Sequence, residues 1–110
     1  MGHYMVQFKY GPENFRGLVQ NPENRTEMVR QAMEGFGGRL HAFFYTYGEY
    51  DGVVLAEFAD GESCLAFCAM IASKGGFAAS KTTVLIDPDE ARRAFQRAGE
   101  TKTSYRPATT

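Results

Sequence analysis

The chain has 110 residues, enough for one ordinary domain, and its hydrophobic content of 44% and charged content of 23% are those of an average globular protein. Twelve Lys and Arg against thirteen Asp and Glu give a net charge of -1, so no positive field favours nucleic acid or anionic lipid as a partner. No apolar run approaches the roughly 20 residues that cross a bilayer, and the N-terminal residues lack the pattern of a signal peptide. We therefore expect a cytoplasmic protein that binds neither nucleic acid nor membranes.

The first elements are predicted by changes in hydrophobic period. Apolar and polar residues alternate over Tyr4–Tyr10, which is typical of a half-buried strand. The following segment, Gly11–Gln20, is predicted to be a loop long enough to fold over a cavity. A first helix is then expected with Asn21 as its N-cap and Pro22 in its first turn, ending at Gly37.

The second half of the chain repeats this alternation of strands and helices. Aromatic and β-branched residues predict two antiparallel strands, Leu40–Tyr47 and Val53–Phe58, joined by a turn of hairpin length. The remaining predicted elements are a second helix capped by Asp60, a last strand over Ser80–Ile86, and a third helix from Asp87-Pro88 to Gly99.

The order strand, helix, strand, strand, helix, strand predicts an α+β fold of the ferredoxin-like βαββαβ class, with an extra C-terminal helix. Its four-stranded antiparallel sheet is expected to carry both main helices on one face. We expect one domain over residues 1–98. Residues 99–110 form a polar C-terminal tail that is either loose or held by a neighbouring subunit.

Alternation separates the strand residues into two faces of the sheet. The set expected beneath the helices is nearly all apolar: Tyr4, Val6, Phe8, Tyr10, Leu40, Ala42, Phe44, Val54, Ala56, Phe58, Thr82, Val84 and Ile86. The opposite set mixes large apolar with polar side chains: Met5, Gln7, Lys9, His41, Phe43, Tyr45, Tyr47, Val53, Leu55, Glu57, Lys81, Thr83 and Leu85. An apolar patch of that size is typical of an interface, so we predict a homodimer whose two sheets pack face to face around a cavity. A bulge would exchange the two sets beyond it.

The ionisable members of the second set are the candidate ligand-binding residues, because they would line that cavity: Lys9, His41, Tyr45, Glu57 and Lys81. Burial is expected to raise the pKa of Glu57 unless a charge or hydrogen bond offsets it. An ion pair between Lys9 and Glu57 that sets the dimer register is an equally weighted alternative. His3 is given no role.

No metal and no cofactor are expected. Cys64 and Cys68 lie one helical turn apart, whereas zinc needs about four ligands and the histidines, His3 and His41, are distant from the cysteines in the chain. Two buried apolar side chains are the favoured interpretation of the cysteines. Phosphate loops, a nucleophile elbow and a dinucleotide fingerprint are absent from the sequence.

The hairpin sequence over residues 44–54 contains Gly48, Tyr50 and Asp51 and resembles the GYD domain family. Further matching segments are Asn21–Arg25, Gly37–Leu40 and Phe58–Asp60, and the resemblance runs from about Tyr4 to Phe95. It implies a dimeric α/β barrel related to the ferredoxin-like class and implies no established reaction.

A structural role is favoured over ligand contact for the three motif residues. Gly48 is expected to supply a positive backbone dihedral, Asp51 to bond the backbone two residues on, and Tyr50 to plug the end of the barrel.

The leading functional hypothesis is a homo-oligomeric module that binds a small, partly apolar molecule between its sheets. One alternative is a cofactor-independent oxygenase or isomerase, which is suggested only by analogy with other dimeric α/β barrels. Another is a purely structural oligomer without a ligand.

Overall fold

One antiparallel sheet of four strands organises the computed structural model, which describes residues 2–108. The strands are β1 (Gly2–Lys9), β2 (Arg39–Tyr45), β3 (Gly52–Phe58) and β4 (Ala79–Leu85). Their spatial order is β2-β3-β1-β4, and each neighbouring pair is antiparallel. This arrangement confirms the predicted ferredoxin-like sheet, with strand limits that differ from the predicted ones by at most two residues.

The helices are α1 (Pro12–Gln20), α2 (Thr26–Glu34), α3 (Gly61–Ser73) and α4 (Pro88–Glu100). As predicted, α2 and α3 cover one face of the sheet, and Asp60 caps α3 by accepting a hydrogen bond from the backbone N–H of Ser63 at 2.9 Å. Gly37 and Gly75, which follow α2 and α3, both have φ of 73°, the left-handed conformation that terminates helices.

Two predicted elements before the hairpin are wrong. The segment expected to be a loop forms α1, where Asn14 accepts a hydrogen bond from the N–H of Gly11 at 2.8 Å and donates one to the carbonyl of Gly75 at 2.7 Å. Helix α2 begins at Thr26 instead of following Asn21. The side chain of Asn24 accepts the Thr26 N–H at 2.9 Å, a local turn that competes with helix formation.

The C-terminal helix also continues beyond its predicted end. Gly99 lies inside α4, which stops at Glu100, and Thr101 closes it by donating from both its N–H and its hydroxyl to the carbonyl of Arg97. Residues 101–108 of the predicted tail have no regular structure, and Met1, Thr109 and Thr110 lie outside the described residues. No helix within residues 2–108 is long and apolar enough to cross a membrane.

The core lies between the sheet and helices α2 and α3. Alternate residues of β1 and β3 point into it, where Phe58 and Met33 are completely buried. Cys64 and Cys68 are buried free thiols on α3, which confirms the predicted packing role. Burial raises the pKa of Cys64 to about 12, and its neighbour Cys68 adds to the effect.

A bulge in β2 exchanges the faces of its second half. Leu40 pairs with Ala56 but Ala42 pairs with Leu55, so His41 is an extra residue. Beyond it, Phe43 packs against the core and Phe44 points to the opposite side, where 62% of it is exposed. The predicted placement of Phe43, Phe44 and Tyr45 is therefore wrong, because a one-residue shift reverses every later side chain.

Two apolar surfaces remain uncovered in the single chain. One is the sheet face opposite α2 and α3, called here the open face, which carries Met5, Phe44, Val53, Leu55 and Leu85. The other is one side of α4, where Ala91, Ala94, Phe95 and Ala98 recur at helical spacing and Phe95 is 74% exposed.

Candidate functional site

Three chemically active side chains meet on the open face, at the end where β3 finishes. Nε2 of His41 lies 2.9 Å from Oε1 of Glu57, and Nε2 of His3 lies 3.1 Å from the same oxygen. The two imidazole rings are stacked, with centroids 6.0 Å apart. We call these three residues the His–Glu cluster.

The backbone explains why these residues converge. His3 and Glu57 are direct partners in the β1–β3 ladder, so their side chains leave the sheet on the same side. His41 is the extra residue of the β2 bulge, which turns its ring towards Glu57. Bulges redirect a side chain in this way, and alternation along the sequence contains no signal for the resulting contact.

Glu57 is the centre of the cluster and is held as a carboxylate. The hydrogen bond from His41 lowers its pKa, partial desolvation opposes that effect, and the nearby His3, His41 and Arg39 lower the pKa further. The expected rise in the Glu57 pKa is therefore wrong, because hydrogen bonding and neighbouring charge outweigh desolvation.

The other predicted site residues do not join this cluster. The Nζ atom of Lys9 donates to the carbonyl of Glu49 at 3.1 Å, at the opposite end of the sheet, so the alternative of a Lys9–Glu57 ion pair is wrong. Lys81 is exposed beside Gln7 on the open face. Tyr45, shifted by the bulge, lies on the helix side and not on the open face.

The GYD motif residues tie the hairpin between β2 and β3 to the end of β1. Oδ2 of Asp51 accepts the N–H of Tyr10 at 2.8 Å, and the N–H of Asp51 donates to the carbonyl of Phe8 at 2.8 Å. Tyr50 is half-buried, and its carbonyl accepts the Thr46 hydroxyl at 2.6 Å. Asp51 therefore acts across the fold, not on the backbone two residues on as expected.

Gly48 does not have the predicted conformation. Within residues 2–108 positive φ is confined to Gly37 and Gly75, and a Cβ at Gly48 would meet nothing within 4 Å. The glycine that packing requires is Gly52, where a Cβ would collide with the ring of Phe8. The pairing of Gly52 with Phe8 is long-range, so it could be found only from the register.

A cavity of about 470 Å³ lies on the other side of the sheet, between the strands and helices α2 and α3. Its walls are mainly apolar and include Val29 and Ala32 from α2, Phe67 and Met70 from α3, and Phe43 from the redirected half of β2. The volume falls within the range of small-molecule sites. The expected cavity between two sheets is thus not the one that the single chain encloses.

Polar groups stand along the same cavity. Tyr10 lines it and shares a hydrogen bond of 3.2 Å with the hydroxyl of Tyr45. Burial, followed by this hydrogen bond, raises the pKa of Tyr10, so the phenol is neutral at physiological pH. Arg25 and Lys74 also line the cavity and supply two cationic groups.

The strand order and the two helices on one face define a ferredoxin-like α+β protein. Three solved structures are similar to it: the crystal structure of FFRP-DM1 (18% identity, 78% of this chain and 100% of that chain, TM-score 0.48), hypothetical protein PHS023 from Pyrococcus horikoshii (15%, 79% and 92%, 0.51) and TTHA0845 from Thermus thermophilus (15%, 79% and 95%, 0.45). At this level of identity the PHS023 match shows the fold alone. No curated protein matches the chain.

The chain belongs to the GYD domain family, whose model matches residues 4–95. This match confirms the resemblance drawn from the hairpin motif, and it covers every element from β1 to most of α4.

Proposed function

We propose that this protein is a homo-oligomeric binding protein for a small apolar acid, a molecule with a hydrocarbon or aromatic body and one carboxylate. The cavity between the sheet and helices α2 and α3 carries the proposal. It places the ligand on the opposite side of the sheet from the inter-sheet cavity expected from the sequence.

The walls of the cavity suit the apolar part of such a ligand. Val6, Phe8 and Val54 form its floor on the sheet, and apolar residues of α2 and α3 form its sides. A pocket of this kind binds by removing apolar ligand surface from water, at about 25 cal/mol for each Å² buried.

The cationic groups suit the acid part. Arg25 makes an ion pair with Glu23 at 2.9 Å, which satisfies part of its charge. Lys74, the C-cap residue of α3, is exposed and free to swing towards a carboxylate at the cavity. The neutral phenol of Tyr10 adds a hydrogen-bond donor, so the site favours an anion over a cation of equal length.

Decanoate is a suitable probe because decanol and decylamine have the same chain with a neutral or a cationic head. Calorimetric titration should show binding in the order decanoate, decanol, decylamine. Ala32→Phe should abolish binding of all three by filling the cavity, while raising or preserving the thermal midpoint. Lys74→Gln should weaken decanoate binding by about tenfold, the low end for a charge-assisted hydrogen bond, and leave decanol unchanged.

The matched control is Lys81→Gln, which removes an exposed lysine from the other side of the sheet. Equal loss of decanoate binding in both lysine variants would show a non-specific charge effect. Binding that persists in a folded Ala32→Phe protein would place the ligand elsewhere and overturn the assignment.

The homo-oligomeric part of the proposal is supported by the two uncovered apolar surfaces. An exposed patch formed by Phe44 and its neighbours on the open face is costly in water, and a second copy presents the same patch across a two-fold axis. The uncovered side of α4, centred on Phe95, gives each subunit an arm that can pack on its partner.

Sedimentation of the Leu55→Lys variant tests this assembly, because a lysine at the centre of the open face would be buried without a counter-charge. We expect dissociation to monomers. The control Leu65→Lys changes an exposed leucine on α3 and should leave the assembly intact. A Leu55→Lys protein with the mass and stability of wild type would contradict the open-face interface.

A cytoplasmic location is part of the proposal. It is supported by the two cysteines, which are free thiols one helical turn apart, as expected in a reducing compartment.

A further inference from the structure

We infer that the His–Glu cluster binds one divalent transition-metal ion of the zinc type through Nε2 of His3, Nε2 of His41 and a carboxylate oxygen of Glu57. The three ligand atoms lie within 4.8 Å of one another, on three adjacent strands of the open face. The site is independent of the proposed acid-binding cavity, which lies on the other side of the sheet.

The spacing of the ligand atoms fits a single ion. Zinc binds histidine nitrogen and carboxylate oxygen at about 2.0–2.2 Å, so ligands at tetrahedral angles stand about 3.3 Å apart. The observed separations from Glu57 Oε1 are 3.1 Å to His3 and 2.9 Å to His41, close to that value. Small rotations of the two rings, which are half-exposed, are enough to admit the ion.

The donor set selects the class of metal. Two imidazoles and one carboxylate suit Zn²⁺, Co²⁺ or Fe²⁺, whereas Mg²⁺ and Ca²⁺ prefer oxygen ligands alone. Each imidazole binds through an unprotonated Nε2 and keeps its single proton on Nδ1, so neutral histidines give up no proton to the solvent.

Three protein ligands leave the coordination of the ion incomplete. The side chains of His3 and His41 are 45% and 39% exposed, whereas that of Glu57 is 17% exposed. The vacant position therefore faces away from the sheet, where water or a group presented by a second copy can occupy it.

Arg39 opposes the metal and provides a test with the opposite sign. It is the ladder partner of Glu57 in β2, and its charge acts on the same carboxylate. A guanidinium at this distance repels a dication, so removing its charge should strengthen metal binding. A site that served only as a hydrogen-bond network would show no such gain.

The experiment is a titration of the full chain with Zn²⁺ in competition with a chromophoric chelator, repeated with Co²⁺ and its visible absorption. We expect one ion per chain, intense Co²⁺ bands typical of four-coordination, and no binding of Mg²⁺. His3→Ala, His41→Ala and Glu57→Gln should each weaken Zn²⁺ by more than about tenfold, since losing even an outer-shell partner costs that much. Arg39→Gln should tighten it several-fold, and Lys81→Ala, on the same face, should leave it unchanged.

Circular dichroism of each variant establishes that it is folded before its affinity is compared. Because His3 is near the start of β1 and half-exposed, His3→Ala is the variant that tests the site with least risk to the fold. The inference is overturned if the wild-type chain binds no stoichiometric Zn²⁺ or Co²⁺, or if folded His3→Ala and His41→Ala proteins bind as wild type does. Decanoate binding is measured separately, so either proposal can fail alone.

Discussion

Gly52 is the position where the fold is least able to accept a methyl group. It is the first residue of β3 and is paired with Phe8 of β1, whose ring lies directly over its Cα. A Cβ built at Gly52 lies 2.7 Å from Cε1 of that ring and still closer to Cζ. We therefore predict that Gly52→Ala destabilises the protein by displacing Phe8.

Two opposing effects set the size of the loss. Carbon atoms pack best at about 3.5–4.0 Å, so the ring or the strand must move by more than about 1 Å. Overpacking of this kind costs about 1–3 kcal/mol. Replacing a strand glycine by alanine returns about 0.5–1 kcal/mol of chain entropy. The steric effect wins, and the net destabilisation should be about 1–2 kcal/mol.

Urea denaturation of wild type, Gly52→Ala and Gly48→Ala measures this difference. Gly48 lies in the same hairpin but has open space around its Cα, so Gly48→Ala should change stability by less than about 0.5 kcal/mol. Replacing Phe8 by leucine should make Gly52→Ala less harmful than in the wild-type background, because the two positions are coupled. A Gly52→Ala protein as stable as wild type would refute the packing argument.

Three further predictions concern single contacts. Asp51→Ala should lower the free energy of unfolding by about 1–3 kcal/mol in urea, because it leaves the half-buried N–H of Tyr10 without its acceptor, whereas Asp51→Asn should restore most of the loss. A thiol reagent at pH 8 should label Cys64 and Cys68 slowly in the folded protein and quickly in urea, because burial raises the pKa of Cys64 to about 12; rapid native labelling would contradict their packing role. The capping hydrogen bonds lower the pKa of Asp60 in the folded state, so its charge stabilises α3 fully above the ordinary value of 3.8 and this contribution disappears as the pH falls through the lower folded value; thermal midpoints should therefore drop less steeply on acidification in Asp60→Asn than in wild type.

Local sequence was sufficient for the elements whose signals are short-range. Alternation over Tyr4–Tyr10 identified β1, Asp60 identified the start of α3, and Gly37 identified the end of α2. These features depend on side-chain period, on a cap within three residues and on a single backbone dihedral. Their order along the chain then predicted the ferredoxin-like sheet.

Short-range signals failed where a local competitor or a distant partner acts. The segment after Pro12 forms a helix because Asn14 satisfies the N–H of Gly11 and reaches Gly75, a contact across 61 residues. The Asn24 side chain bonds to Thr26 and delays α2.

The His–Glu cluster and the cavity were decided by tertiary structure. Alternation is blind to the β2 bulge, which sends His41 towards Glu57 and carries Phe43 into the wall of the cavity. The requirement for glycine at position 52 depends on Phe8, which is brought there by the β1–β3 register. By itself the sequence determined which stretches are strands and helices and the order in which they pair, because those depend on neighbours along the chain. Which side chains meet was settled by register and by one extra residue in a strand, because a shift of one position reverses every side chain beyond it.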